Sequence, residues 1–199
     1  LARTLRWDRD VTKGKGSHER ILEAFLAHEA DILIGTQMIA KGLDLPLVTL
    51  VGIISADTML HFPDIRAGER TFQLLSQVAG RAGRGALQGR VVVQTYAPDN
   101  YAIAAGAKHD YASFYRQEIE LRRQHSQPPF SRLVSLVHTH SNAEACRTGA
   151  EKMFQRLVEK NNQERLDVGL VGPAPMYFAR IRGRYRWQIV LRGPEPSRL

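Results

Sequence analysis

Two segments of the first half of the sequence carry residue types that suit phosphate binding. The first, residues 35–46 (GTQMIAKGLDLP), follows the apolar run 31–34, which we expect to form a buried strand. A Gly-Thr step at the carboxyl end of a strand places a hydroxyl and free N–H groups at the mouth of an α/β sheet, where such folds bind ligands. The alternative is an ordinary loop between a strand and a helix.

The second segment is residues 77–85 (QVAGRAGRG), which contains two arginines among small residues. Arg81 and Arg84 are three positions apart, so they share one side of a helical turn. Guanidinium groups bind phosphate through two parallel hydrogen bonds and stay charged during phosphoryl transfer, where one such arginine accelerates the reaction by about 10³ to 10⁵. A solvated, glycine-rich basic loop is the alternative.

The segment 180–192 is the most basic part of the sequence. Read as one strand of period two, it points one set of arginines to a single face: Arg180, Arg182, Arg184 and Arg186. The apolar and aromatic residues between them point to the other face. A row of guanidinium groups matches a phosphate backbone, and a neighbouring aromatic ring can stack on an unpaired base. An edge strand protected from aggregation by charge is the alternative.

The elements that must position the first two segments alternate between strand and helix. Strand-like runs are 4–7, 31–34, 47–54 and 90–96, and helix-like periodicity marks 66–78 and the residues after Ser17, which is the expected helix cap. A helical turn is expected over 36–41. This alternation predicts a parallel sheet with flanking helices, which is an α/β unit.

The pattern restarts after Pro128 and Pro129, which end the helical region 101–125. It then predicts strands over 132–139, 166–171 and 180–191, with a helix over 142–160. These elements make a separate small α+β unit. We therefore expect two domains, 1–126 and 127–199.

Charge divides the chain at the same place. Of the net charge of +8 on 199 residues, residues 1–126 contribute 16 basic and 14 acidic side chains and residues 127–199 contribute 12 and 6. A net +6 on the second unit favours nucleic acid, an acidic protein or anionic lipid as its partner. The single Cys146 excludes an intramolecular disulfide and favours a reducing cytosol. No metal site, signal peptide or membrane span is expected.

Several motifs occur in an order that resembles a known family. The segments 35–46 and 77–84 resemble motifs V and VI of superfamily 2 helicases. The resemblance to the PriA (primosomal protein N-prime) family of bacterial replication-restart helicases extends over nearly the whole chain through further segments: 63–85, QTYAP at 94–98, QPPFSR at 127–132, GPAP at 172–175 and RGRYRWQ at 182–188. Ile65 departs from the aromatic residue expected there.

The resemblance implies a RecA-like second helicase lobe followed by a small α+β C-terminal domain similar to ribosomal protein S10. It also implies that Arg81 and Arg84 face the γ-phosphate of ATP, with Arg84 as the arginine finger. Gln77 would link the nucleotide and DNA sites, while Gly42 and Asp44 would couple motif V to the nucleotide.

For DNA, the resemblance implies that Thr36 contacts the backbone and that the C-terminal domain binds branched DNA. The expected function is 3′ to 5′ unwinding at stalled forks and reassembly of the primosome. Implied partners are forked and single-stranded DNA, single-strand DNA-binding protein and primosome loader proteins. The implied compartment is the bacterial cytoplasm at the nucleoid, and the implied state is a monomer.

The sequence has no G-x-x-x-x-G-K-[ST] loop and no acidic Walker B strand end. We therefore expect a fragment that hydrolyses no ATP alone. The resemblance implies that the other half-site for ATP and Mg²⁺ and a zinc-binding region precede Leu1. One alternative function is a non-catalytic scaffold that binds DNA structures and has a degenerate ATP site. Another is a different superfamily 2 DNA translocase.

Overall fold

The computed structural model describes residues 2–8, 11, 12, 14, 16–36, 45, 48–79 and 89–199. Contacts divide the chain into two compact units, Leu1–Gln117 and Glu118–Leu199. The structural division thus lies earlier than the change of organisation that the sequence places near Gln127. Within the described ranges, no helix combines the length and apolar character that a bilayer span requires.

The first unit alternates short strands with helices, as the periodicity predicts. Its elements are β1 (Thr4–Trp7), α1 (Ser17–Leu26), β2 (Ile32–Gly35), β3 (Leu50–Ile53), α2 (Asp57–Leu60), α3 (Ala67–Ala79), β4 (Arg90–Val93), α4 (Tyr101–Ala107) and most of α5 (Tyr111–Gln124). Strand β1 pairs in parallel with β2, and β3 pairs in parallel with β4. The predicted α/β class with parallel strands is confirmed, although the described strands form two separate pairs.

Two details of the first unit differ from expectation. Helix α1 is preceded by Gly16 in the left-handed conformation, and Ser17 is its first helical residue, with the hydroxyl donating to the carbonyl of Gly14 at 2.6 Å. Ser17 is therefore not the cap. Strand β2 was expected to be buried, but Ile32 and Ile34 are 46% and 52% exposed. Strand β2 pairs with β1 along one edge, and α1 packs on β1.

The core of the first unit lies among its helices rather than on its strands. The spacing of Phe72, Leu75 and Val78 predicts one buried face of α3, and all three are buried. Phe72 stacks on Phe114 of α5 with ring centroids 4.4 Å apart. Leu75 joins a second cluster with Ile103 of α4. These contacts fix α3, whose last turn leads into the segment 77–85.

The second unit is a three-stranded antiparallel sheet covered on one face by a long helix. Its elements are β5 (Arg132–His140), α6 (Ala143–Glu164), β6 (Gly169–Ile181), β7 (Arg184–Gly193) and a final turn of 3₁₀ helix (Pro196–Arg198). The strand order is β5-β7-β6. Asn142 caps α6, because its side-chain oxygen accepts from the N–H of Ala145 at 2.9 Å. The predicted α+β organisation is confirmed.

The core of this unit forms between α6 and the central strand. Ile189 and Leu191 of β7 are 0% and 1% exposed. They pack with Val168 and with apolar residues of α6 that include Phe154 and Leu157. One face of β7 is thereby assigned to the core, and the opposite face carries its other residues.

The segment 180–192 is not one strand, which corrects the sequence interpretation. Strand β6 continues to Ile181, and the chain reverses at Arg182 and Gly183, whose φ angles are +49° and +79°. Ile181 then pairs with Arg184 at the start of β7. Two consecutive residues with positive φ are the requirement of a tight two-residue hairpin turn. The segment is therefore the end of a β6–β7 hairpin.

Candidate nucleic-acid interface

The four arginines predicted to share a face are distributed around the end of this hairpin. Residues paired directly across an antiparallel ladder share a face. Arg180 pairs with Tyr185, whereas Ile181 pairs with Arg184. Arg180 therefore lies on the face opposite to Arg184 and Arg186, and Arg182 lies in the turn. The prediction of a single row is wrong because the turn reverses the chain within the segment.

Arg184 and Arg186 lie on the sheet face opposite to α6. They alternate with Tyr185 and Trp187, which share the parity of the core residue Ile189. Arg184 is exposed and donates from Nη2 to the carbonyl oxygen of Thr139 in β5 at 3.2 Å. This bond holds the guanidinium group near the strand and leaves its other N–H groups available as donors.

Arg180 is held on the other face by an aromatic ring. Its guanidinium carbon lies 5.1 Å from the centroid of the Tyr185 ring, which is cation–π distance. The hairpin end consequently presents guanidinium groups on both faces and at the turn. A basic projection of this kind can contact a phosphate backbone from several sides.

No negative charge in the sequence of the hairpin offsets these arginines. Residues 168–194 contain five arginines and no aspartate or glutamate. Among the residues that the structure describes, none of Arg180, Arg182, Arg184 and Arg186 forms an ion pair. Other arginines of the same unit are paired, as Arg147 is with Glu144 and Glu151. The hairpin therefore carries four closely spaced arginines, at positions 180, 182, 184 and 186, with no acidic residue among them.

Two exposed aromatic residues, Tyr177 and Phe178, accompany the arginines and were missed in the sequence. They lie in β6 just before the hairpin end, and their rings make an edge-to-face pair with centroids 5.0 Å apart. The Arg182-Gly183 dipeptide between two alternating runs was the available signal for the turn. With the turn placed there, Tyr177 and Phe178 fall beside the arginines instead of in a loop.

The candidate motor residues that the structure describes are Thr36 and Gln77. Thr36 is exposed and directly follows β2, so its hydroxyl lies at the carboxyl end of a parallel strand, as predicted. Gln77 is exposed in the last turn of α3. The other predicted residues of motifs V and VI lie outside the described residues: Gly42, Asp44, Arg81 and Arg84. The helical turn expected over 36–41 also lies almost entirely outside them.

A buried carboxylate that sequence reasoning missed fixes the segment 94–98. Asp57, the first residue of α2, accepts from the Thr95 hydroxyl at 2.8 Å and from the N–H of Tyr96 at 3.2 Å. The bond from Thr95 and then that from Tyr96 lower the pKa of Asp57 below its ordinary value. Asp57 thereby ties the chain after β4 to the helix after β3. In the described part of the chain, no three His, Cys, Asp or Glu side chains group to hold a metal ion.

Two family models match the chain in the order of its two units. Residues 10–86 match the helicase conserved C-terminal domain, and residues 123–199 match the primosomal protein N C-terminal domain. These matches agree with the described parallel strands and with the antiparallel α+β unit. The predicted fold class, a RecA-like second helicase lobe followed by a small α+β domain, is confirmed.

Relatives named "Replication restart protein PriA" match over the whole chain or nearly so. The chain is 46% identical to the protein of Bacillus subtilis over 198 residues, which are 100% of the chain and 24% of that protein. It is 42% identical to the protein of Synechocystis over 96% of the chain and 23% of that protein. It is 40% identical to the protein of Haemophilus influenzae over 95% of the chain and 26% of that protein. The chain thus spans about a quarter of the length of these curated relatives, and it belongs to the PriA family of replication restart proteins.

Proposed function

We propose that this chain supplies the second motor lobe and a DNA-binding domain to an ATP-dependent 3′ to 5′ DNA helicase. That helicase recognises stalled or branched forks and restarts replication by assembling the primosome. The observation that carries the proposal is the β6–β7 hairpin, a projection of arginines without ion pairs among the described residues. It lies in the unit that matches the primosomal protein N C-terminal domain.

Physical chemistry supports DNA as the ligand of this hairpin. Each guanidinium that neutralises a phosphate releases condensed counterions, which is a favourable contribution that does not depend on base sequence. A protein that acts at any abandoned fork needs binding of that kind, because the position of the fork is arbitrary. Arginines on two faces and at the turn suit a junction, where strands diverge around the protein.

The motor part of the proposal rests on motifs V and VI. Thr36 would contact the DNA backbone at the carboxyl end of β2, and Gln77 would link that contact to the nucleotide from the end of α3. Arg81 and Arg84 would contact the γ-phosphate, with Gly42 and Asp44 as coupling residues. ATP and Mg²⁺ would be shared with a second lobe that supplies a Walker A lysine and an acidic Walker B residue.

Partners and place in the cell form the finer part of the proposal. Single-strand DNA-binding protein and primosome loader proteins would meet this chain at forked DNA in the bacterial cytoplasm. The 199 residues alone would hydrolyse no ATP, since they hold one side of the nucleotide site. DNA-stimulated ATP hydrolysis by the isolated chain would contradict this division of the site.

A charge-reversal experiment tests the DNA-binding surface. Changing Arg184→Glu and Arg186→Glu together should weaken binding of a labelled forked DNA at least tenfold, because two phosphate contacts become repulsive. Fluorescence anisotropy at several salt concentrations measures this loss, and the salt dependence should become less steep. The matched control is Lys152→Glu with Arg156→Glu, an equal charge change at exposed positions of α6, on the other side of the sheet. Equal losses in both variants would refute a specific surface.

A second experiment tests the nucleotide assignment. Arg84→Ala in the full-length protein should lower DNA-stimulated ATP turnover by about 10³ or more, because the γ-phosphate loses a transition-state contact. Binding of forked DNA should be nearly unchanged. Arg20→Ala, which removes an exposed arginine of α1, is the control and should keep normal turnover. Retained turnover in the Arg84 variant would overturn its role as the arginine finger.

A further inference from the structure

Tyr177 and Phe178 are large aromatic residues on an open surface. Tyr177 is 67% exposed and Phe178 is 56% exposed, although each would stabilise the fold more if it were buried. Their rings contact each other edge to face, at 5.0 Å between centroids and 82° between planes. Two adjacent, mutually oriented and exposed rings form an aromatic surface that can accept a flat ligand.

The local backbone explains why consecutive residues contact each other. In a regular strand, neighbouring side chains point to opposite faces. The β6–β7 ladder is irregular between Pro175 and Arg180, and Tyr177 and Phe178 lie in that interval. Such irregularities change the direction in which side chains point. The aromatic pair is therefore a product of this interruption of the ladder.

The surroundings of the pair select among flat ligands. Arg180, Arg182 and Arg184 follow within seven residues of Tyr177, and residues 168–194 include no acidic side chain. An aromatic surface in a hairpin whose charged residues are all arginines favours a ligand that combines flat rings with regularly spaced negative charge. A single-stranded nucleic acid has this composition, and its bases are free to stack, whereas those of a duplex are already stacked on each other.

We propose that Tyr177 and Phe178 form a stacking platform for unpaired bases of single-stranded DNA, whose phosphates contact the arginines of the hairpin end. The inference rests on the proposed function, since it specifies which part of a fork the hairpin engages. Phosphate contacts alone bind duplex and single strand alike. The aromatic pair adds a preference for the single-stranded arm.

The test compares three labelled ligands with the 199-residue chain by fluorescence anisotropy at constant salt. They are an oligothymidylate, an abasic oligonucleotide with the same number of phosphates, and a blunt duplex. The unmodified chain should bind the oligothymidylate about tenfold or more tightly than the abasic strand, because base–aromatic stacking contributes that much for each stacked base.

Variants then assign this preference to the pair. Tyr177→Leu with Phe178→Leu keeps apolar bulk but removes the rings, and it should lose about tenfold or more in oligothymidylate affinity while abasic and duplex affinities change less than about twofold. Tyr177→Trp with Phe178→Trp keeps the rings and should retain binding. Tyr96→Ala with Tyr115→Ala removes two exposed rings from the first unit and should have no effect. Circular dichroism confirms that each variant folds.

The outcomes separate this inference from the proposed function. If the abasic strand binds as tightly as the oligothymidylate, or the leucine variant binds like the unmodified chain, the stacking platform is refuted and the arginine surface stands. An aromatic surface for a protein partner would give that same result. If none of the three ligands binds at all, the proposed DNA-binding function of the hairpin is itself refuted.

Discussion

The two units of this chain differ in how completely the apolar residues of their strands are covered. In the second unit, α6 covers one sheet face completely enough that Ile189 and Leu191 of the central strand are buried. In the first unit, the described strands come in parallel pairs, and several of their apolar residues are exposed, such as Ile34 of β2 and Leu50 of β3. Its buried residues lie mainly where α3, α4 and α5 meet.

The difference follows from how the two kinds of sheet are stabilised. A parallel sheet is normally buried on both faces, so its strands consist of apolar residues throughout. An antiparallel sheet needs cover on one face, and the other face is free for polar or charged residues. The second unit uses that freedom for Arg184 and Arg186. Core residues and the arginines of the proposed DNA-binding surface thus share one strand in the second unit.

The largest test of this contrast is a matched pair of isoleucine substitutions. Ile189→Ala should lower the free energy of unfolding of the second unit by about 2 to 5 kcal/mol, because it leaves a cavity against α6. Ile34→Ala should cost less than about 1 kcal/mol, since that side chain is already half exposed. Urea unfolding followed by tryptophan fluorescence reports one unit at a time when the tryptophan of the other unit is replaced by Phe, because Trp187 lies in one unit and Trp7 in the other. Equal losses would remove the contrast.

A smaller effect tests whether helix contacts hold the first unit together. A Cβ added at Gly106 of α4 would lie 2.9 Å from the Cβ of Leu75 in α3, so Gly106→Ala must separate the two helices. We expect a loss of about 1 to 3 kcal/mol in thermal or urea unfolding. Gly52→Ala in β3 is the control, because a Cβ there meets no described atom within 4 Å. A neutral Gly106→Ala would show that α3 and α4 tolerate separation.

The smallest effect is an acid dependence in the β1–β2 pair. The bonds from Arg3 lower the pKa of Asp31 from its ordinary 3.8 to about 2. The carboxylate therefore stabilises the fold at full strength above pH 3.8, and this contribution is lost as the pH falls through about 2. Asp31→Asn should be slightly less stable than the unmodified chain at neutral pH, and the two should converge near pH 2 in acid unfolding.

The control for this acid dependence is Glu29→Gln, which removes an exposed carboxylate two residues away. Its difference from the unmodified chain should not follow the same pH course. A constant difference between Asp31→Asn and the unmodified chain down to pH 2 would contradict a role for the ionised pair with Arg3.

The spacing of apolar residues and the residues that end helices and strands predicted most elements, because both depend on local conformational preferences. The helical spacing of Phe72, Leu75 and Val78 identified the buried face of α3, and the helix predicted over 142–160 is α6, which runs from Ala143 to Glu164. The exposure of β2 was not predicted, because burial depends on what packs over a strand. The sequence of β2 shows that its residues are apolar, but it does not show what packs over them.

The hairpin was mispredicted for a related reason. Alternation of arginine with apolar residues continues unbroken through Arg182 and Gly183, so period two alone does not show that the chain reverses there. The reversal needs positive φ at both residues, which is uncommon for Arg182. Its consequence is large, because residues on opposite sides of the turn exchange faces. A turn signal weighed against the alternation would have separated Arg180 from Arg184.

The sequence by itself determined the order of the two units, the family motifs, the location of the positive charge and the residue types available for phosphate contact. These are properties of composition and spacing along the chain. Only the tertiary structure decided that the arginines surround a hairpin end and that Tyr177 and Phe178 lie beside them. It also tied Asp57 to Thr95, far along the chain. The physical reason is that the faces of a sheet and the partners of a buried carboxylate depend on strand register and on contacts between distant residues.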